Sequence, residues 1–153
     1  MVGTMNHREI AQGYFKQGFN CAQSVAMAFC DVTKLEEKQS ARLASSFGGG
    51  LGRMREVCGA VSGMAFVLGA LYGYDDPKVT GASATHYARV QEVAGAFKTA
   101  NGSIICRELL GEKAPVTATP EPRTPEYYKR RPCADLVGMA ADILDDYIER
   151  NPF

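Results

Sequence analysis

The stretch Val57–Tyr72, with the sequence VCGAVSGMAFVLGALY, determines how the rest of this chain is organised. It contains no charged residue and is apolar around its whole circumference, which is typical of a helix buried at the centre of a protein. Gly59 and Gly63 are four residues apart and share one helix face, where a second backbone can approach closely. The uncharged run extends to Tyr74, near the lower length limit for a membrane span. Its four glycines and its lack of aromatic and basic anchors favour a buried helix of a soluble protein.

Helical patterns lie on both sides of this segment, and no alternating pattern typical of strands is present. Caps such as Asn20 and breakers such as Gly18 and Gly111 divide the chain into short elements. We therefore predict an all-α, single-domain fold over residues 1–153, a bundle of six or seven helices around the central one. The further helices are predicted at about 8–17, 21–29, 35–46, 80–99, 103–110 and 133–150.

Residues 112–132 form a proline-rich stretch that interrupts the helical pattern. Five of the seven prolines fall within it, and proline fixes φ and removes a backbone donor. The stretch is predicted to be an extended surface loop. Loops of this length without secondary structure are uncommon in compact domains, which indicates a covering or functional role.

The composition excludes some partners. The chain has 17 basic and 17 acidic side chains, so its net charge is zero. This balance gives no electrostatic reason to expect nucleic acid or an anionic membrane as partner. The first residues carry no basic segment followed by an apolar one, so we expect no secretory signal and a cytoplasmic location. His7 is expected to lie in a frayed terminus.

Five cysteines are the residues most suggestive of chemistry. Reducing compartments keep ordinary thiols reduced, so these cysteines are expected to be either packing residues or chemically active groups. No two form a Cys-x-x-Cys pair, which excludes a thioredoxin-type motif and a zinc ribbon. Four lie instead at the predicted starts of helices: Cys21, Cys58, Cys106 and Cys133.

A helix N-terminus favours a thiolate, because its free N–H groups and its partial positive charge stabilise negative charge on sulfur. The four cysteines are therefore predicted to gather into one redox-active or metal-binding site. Arg53 and Arg55 lie just before Cys58 and would strengthen the positive field, so Cys58 is expected to be the activated thiol. Cys30 lies nine residues after Cys21, on the opposite side of the same helix, and is left out of the site.

The segment 48–52, with four glycines among five residues, precedes the central helix. It matches neither glycine-rich phosphate-binding motif, and no strand precedes it. We interpret it as a backbone device that turns the chain sharply and brings Cys58 to its partners. The sequence leaves open whether Tyr127 and Tyr128, in the proline-rich stretch, pack over the cysteines.

The motifs around the four cysteines resemble those of a known family. Cys58 begins the CGAxxG motif CGAVSG, preceded by FGGGLGR, while Cys21 lies in FNCAQSV, Cys106 in CRELLG and Cys133 in CADLV. In this order they closely resemble the C_GCAxxG_C_C family of redox-active proteins, which has four defining cysteines and a similar length. The resemblance covers about residues 18–148. It implies that these four cysteines are the functional ones and that Cys30 falls outside the pattern.

Three functions fit such a cysteine set. The thiols could cycle between dithiol and disulfide by exchange with a redox partner protein or a small thiol. All four could instead ligate an iron–sulfur cluster or an iron centre that carries electrons. A structural zinc in a scaffold module without redox activity is less favoured, because zinc ligands usually come in close pairs. Gly59 and Arg53 are predicted to border the cofactor site, and both an oxidoreductase activity and a homodimer stay open.

Overall fold

The computed structural model describes residues 6–111 and 114–153; the first five residues and the first two of the proline-rich stretch lie outside the described part. Within these ranges the chain forms nine α-helices and no strand, which confirms the all-α prediction. They are α1 (His7–Lys16), α2 (Cys21–Ala28), α3 (Cys30–Thr33), α4 (Glu37–Ala44), α5 (Gly59–Tyr72), α6 (Ala82–Asn101), α7 (Cys106–Leu110), α8 (Pro125–Arg130) and α9 (Cys133–Arg150). A 3-10 turn, Ser45–Phe47, extends α4.

The predicted number of helices is too low, because two short helices escape the sequence pattern. One is α3, which has only four residues and follows α2 almost directly. The other is α8, which lies inside the proline-rich stretch, so the prediction of an extended loop throughout 112–132 is wrong. This helix begins at Pro125, in the first turn where proline is tolerated. The hydroxyl of Thr124 caps it by accepting a hydrogen bond from the N–H of Tyr127.

The core is formed by the facing sides of α1, α2, α5, α6 and α9. Helix α5 packs against α2, α6 and α9, and its buried residues run from Gly59 to Leu68. Its last turns are more open, and Gly69 and Ala70 are exposed. Seven of the eight residues of α2 are buried, so α2 is enclosed at least as fully as the predicted central helix. None of the described helices combines the length and the apolarity that crossing a membrane requires.

The glycine face of α5 brings α2 into backbone contact. A Cβ added to Gly63 would lie 2.8 Å from the Val25 Cβ and 3.0 Å from the Ala22 carbonyl oxygen. A Cβ added to Gly59 would lie 3.1 Å from the Cys21 Cβ. Both positions therefore allow the close helix contact that the four-residue spacing predicts.

His7 is an ordered junction between three helices, contrary to the expectation of a frayed terminus. Its Nδ1 lies 2.6 Å from the Asp145 Oδ1 of α9, and its Nε2 lies 2.9 Å from the Asp31 carboxylate of α3. The ring stacks on Phe29 with centroids 4.1 Å apart. The hydrogen bond to Asp145 is the main cause that raises the pKa of His7 to about 9. The imidazolium ring thus ties α1 to α3 and α9.

Replacing His7 with Gln should lower the melting temperature at pH 6 by about 2–4 °C, the shift expected for ~1 kcal/mol in a chain of this size. The folded-state pKa, about 9, lies above the ordinary value of 6.5, so the stabilisation is complete below pH 6.5 and is lost as the pH rises towards 9. Thermal unfolding between pH 6 and 9.5 measures this, with His86→Gln as control. A difference from wild type that stays constant with pH would contradict the assignment.

Substitutions on the two faces of α5 should have opposite effects on stability. Gly63→Ala places a methyl group against α2 and should lower the free energy of unfolding by about 1–3 kcal/mol. Gly69→Ala, where no atom lies within 4 Å of the added Cβ, should raise it by about 0.5–1 kcal/mol through helix propensity. Urea denaturation measures both. Equal gains in the two variants would show that α2 does not pack on the Gly63 face.

Candidate functional site

All four cysteines that lie at helix starts border one cavity of about 600 Å³. Cys21, Cys106 and Cys133 are the first residues of α2, α7 and α9, and Cys58 is the residue that caps α5. Each is a free thiol and at least nine-tenths buried. The structure therefore brings these four residues together at one cavity.

A short antiparallel pairing places Cys58 beside Cys106. Val57 and Ile105 face each other in an isolated β-bridge. The Cys58 N–H donates across the pairing to a carbonyl oxygen at 2.7 Å, and the Cys106 N–H donates back at 2.6 Å. Because side chains alternate along extended segments, Cys58 and Cys106 lie on the same face of this pairing, turned away from Val57 and Ile105.

Cys21 and Cys133 are the most strongly interacting pair among the four cysteines, since each is the first cause of the other's pKa shift. The pKa of the Cys133 thiol is lowered, first because Cys21 donates a hydrogen bond to its sulfur and then because Arg131, Arg123 and Arg55 stabilise its negative charge. The pKa of Cys21 is raised well above its ordinary value, because Cys21 holds the shared proton and is buried. Cys133 is therefore the acidic member of this pair.

Cys58 is not the activated thiol that the sequence indicates. The backbone N–H groups of Ala60 and Val61 lower the pKa of Cys58 and so favour the thiolate, as expected at a helix start. Burial has the larger effect and raises the pKa of Cys58 to about 12. The expectation is wrong because it counted the helix terminus and left out the loss of solvent.

Arg55 and Arg53 are anchored to the proline-rich stretch. Arg55 is only 4% exposed; its Nε donates to the Pro115 carbonyl oxygen at 3.0 Å, and its Nη1 lies 3.8 Å from the Cys106 Sγ. Arg53 donates to the Thr119 carbonyl oxygen at 2.6 Å. Burial raises the pKa of Cys106, and the neighbouring Arg55 opposes that rise. The proline-rich stretch thus covers part of the cavity.

Arg123 and Arg131 also border the cavity, and the sequence patterns missed both. The Arg123 guanidinium donates to the Phe15 carbonyl oxygen at 2.8 Å and lies 4.3 Å from the Phe15 ring centroid. Tyr127, whose packing the sequence left open, borders the cavity and lies 5.2 Å from Arg123 and 5.3 Å from Arg131. The position of Arg131 two residues before Cys133 was a usable signal, whereas nothing near Arg123 in the sequence indicates its role.

The glycine-rich segment adopts a left-handed backbone. Six of the seven residues from Gly49 to Arg55 have φ between 55° and 76°. Three of them are not glycine: Leu51, Arg53 and Arg55. Such residues strain the backbone and are concentrated at functional sites. A Cβ on Gly50 would lie 2.7 Å from the Cys106 Cβ, so the segment is a backbone device whose close partner is Cys106.

The remaining residues discussed from the sequence divide into those that border the cavity and one that does not. Gly59 and Arg53 border the cavity, and their role in binding a cofactor stays a prediction. Cys30 does not border it, because it lies in α3, where its Sγ is 3.4 Å from the Ser40 Oγ. The separation of Cys30 from the other four cysteines therefore agrees with the sequence analysis.

The four thiols do not form a metal site as they are arranged. Within residues 6–111 and 114–153, no group of three or more His, Cys, Asp or Glu side chains is placed to hold a metal ion. A zinc or iron centre needs its thiolates at about 2.3 Å from the metal, so these side chains do not fit one without moving. Metal ligation by Cys21, Cys58, Cys106 and Cys133 stays a prediction.

A family model described as "Putative redox-active protein (C_GCAxxG_C_C)" matches residues 19–147. The chain belongs to this family. The resemblance inferred from the cysteine motifs is thereby confirmed, and the four cysteines of this C_GCAxxG_C_C protein all lie within the matched range. The description states a redox role and names no reaction. Searches of curated proteins and of solved structures find no match to the chain.

In this C_GCAxxG_C_C protein, Cys133 should react with iodoacetamide faster than Cys58 at pH 7 in the reduced, metal-free state. The reason is the hydrogen bond and the arginines that lower the pKa of Cys133, against the burial that raises that of Cys58 to about 12. Alkylation over a pH series with peptide mapping measures both rates. Because both thiols open onto the same cavity, each serves as the accessibility control for the other. Faster labelling of Cys58 would contradict this ranking.

Proposed function

We propose that the protein is a thiol–disulfide oxidoreductase whose exchanging pair is Cys133 and Cys21. The proposal rests on the placement of Cys21 and Cys133 at one cavity, at the starts of the packed helices α2 and α9, where each is the first cause of the other's pKa shift. The two thiols lie within interaction range of each other, which is the starting arrangement that a disulfide between them requires. The family's description as redox-active supports this class of chemistry.

Cys133 is the attacking thiol of the pair. The thiolate is the reactive form, and its abundance at neutral pH rises as the pKa falls. Cys133 faces three arginines that favour its negative charge, and it borders the cavity through which a substrate would arrive. Cys58 and Cys106 have no part in this first step, because burial raises the pKa of both thiols.

The exchange proceeds in two balanced steps. The Cys133 thiolate attacks one sulfur of a substrate disulfide and forms an S–S bond with it. The substrate's own S–S bond breaks, and the other substrate sulfur leaves as a thiolate that takes a proton from water. Cys21 then loses its proton and attacks the Cys133 sulfur, which releases the second substrate thiol and leaves a Cys21–Cys133 disulfide. The substrate gains two electrons and the protein loses two, and a reduced dithiol donor restores the protein by the reverse sequence.

A Cys-ligated metal centre is the second candidate, favoured by the presence of all four thiols at one cavity. It needs the sulfurs to converge beyond their present arrangement. Metal analysis and an absorption spectrum of anaerobically purified protein separate the candidates. Iron with visible charge-transfer bands would select a cluster, and stoichiometric zinc would select the scaffold module. Metal-free, colourless protein supports thiol exchange.

The proposal predicts which disulfide forms first in dithiothreitol redox buffers. Quenching by alkylation and peptide mapping should recover Cys21 linked to Cys133, because these two thiols interact most strongly with each other. Cys133→Ser should abolish reaction with a disulfide substrate, and Cys21→Ser should stop at a mixed disulfide on Cys133. Cys30→Ser, outside the cavity, is the matched control and should behave as wild type. A different first pair, or no disulfide, would overturn the proposal.

A further inference from the structure

The cavity beside the exchanging pair is strongly positive in a chain whose net charge is zero. Four arginines border it: Arg53, Arg55, Arg123 and Arg131. Glu121 is the one carboxylate among the described residues that line it. Four positive charges therefore face one negative charge across a volume of about 600 Å³.

Most of these arginines have neutral partners. Arg53 and Arg55 donate to carbonyl oxygens of the proline-rich stretch, and Arg123 donates to carbonyl oxygens at the end of α1 and just beyond it. Among the residues that the structure describes, only Arg131 of the four forms an ion pair, and its partner is Glu121. Buried charges in proteins are normally paired with opposite charges. Arg55 is 4% exposed and contacts a carbonyl oxygen and a thiol instead.

We propose that the substrate of the Cys133–Cys21 exchange is a low-molecular-weight disulfide whose carboxylates bind the arginines of the cavity. The inference that the substrate is a disulfide rests on the proposed function. The inference that it is anionic rests on the charges of the cavity alone. A volume of about 600 Å³ suits a small molecule and not a folded partner protein. A guanidinium group has five N–H donors and binds a carboxylate through two parallel hydrogen bonds.

The arginines are placed to hold such a substrate where it reacts. Arg131, Arg123 and Arg55 are the same groups that act electrostatically on the Cys133 sulfur. Because these arginines and Cys133 border the same cavity, a carboxylate bound to any of them shares the cavity with the attacking atom. The apolar part of the substrate can pack on Tyr127, which borders the cavity between Arg123 and Arg131.

Binding is tested first without any redox step. Suberate has the same length as 3,3′-dithiodipropionate but carries two methylenes in place of the disulfide, and 1,8-octanediol is its neutral counterpart. Calorimetry on reduced wild-type protein should detect suberate and not the diol. Suberate should also slow the alkylation of Cys133 and leave that of Cys30 unchanged, because Cys30 lies outside the cavity.

The reaction is tested with 3,3′-dithiodipropionate against the neutral bis(2-hydroxyethyl) disulfide. Each rate is divided by the rate at which the same disulfide reacts with a free small thiol. The normalised rate of Cys21–Cys133 disulfide formation should favour the dianion by at least about tenfold at low ionic strength. Arg53→Gln should reduce this preference by about three- to tenfold, and Arg53→Lys, which keeps the charge, should retain most of it. Arg42→Gln, at an exposed arginine that does not border the cavity, is the matched control.

The outcomes separate the two proposals. Equal normalised rates for the two disulfides, with no suberate binding, would overturn the anionic substrate and leave the thiol exchange standing. Suberate binding without any Cys21–Cys133 disulfide would overturn the exchange and retain the anion site. If Arg53→Gln does not fold, the wild-type preference should still fall severalfold in about 0.5 M salt, and a preference that is insensitive to salt would overturn the proposal.

Discussion

The close approach of α2 to α5 at Gly59 and Gly63 is the constraint on which the site depends. Neither glycine places a side chain between the helices, so Cys21 at the start of α2 packs beside the start of α5. Helix α9 packs on α2 in turn, and its first residue, Cys133, borders the same cavity as Cys21. A larger residue at either glycine would separate the backbones and, with them, the sulfurs. The same helix contact therefore determines both the packing of the core and the arrangement of the sulfurs.

The groups around each thiol, more than its helix position, decide which thiol is acidic. All four cysteines lie at helix starts, yet among them only Cys133 has a lowered pKa. A helix terminus contributes up to ~2 kcal/mol to a nearby negative charge. Removing a charge from water costs more, which explains why Cys58 keeps its proton although two N–H groups face its sulfur. Cys133 differs because it receives a hydrogen bond from Cys21 and faces several arginines.

The local features of this fold were predictable from the sequence, and the non-local ones were not. Periodicity and caps act within a few residues, so all seven predicted helices are present, and the glycine face of α5 was identified correctly. Helix α8 was missed because the prolines around it mask a six-residue element whose signals are Thr124 and Pro125. The acidity of the thiols was ranked wrongly because it depends on burial and on Arg123, which tertiary folding alone brings to Cys133.

The cysteines and the arginines of the site come from different kinds of structure. The sulfurs of the four cysteines are fixed at the ends of packed helices. The charges come from two irregular segments, the left-handed glycine-rich segment with Arg53 and Arg55 and the proline-rich stretch with Arg123 and Arg131. Irregular segments tolerate substitution better than packed helices do. Changes in these segments would therefore alter which molecule enters the cavity and how acidic Cys133 is, whereas changes at the helix contacts would move the sulfurs themselves.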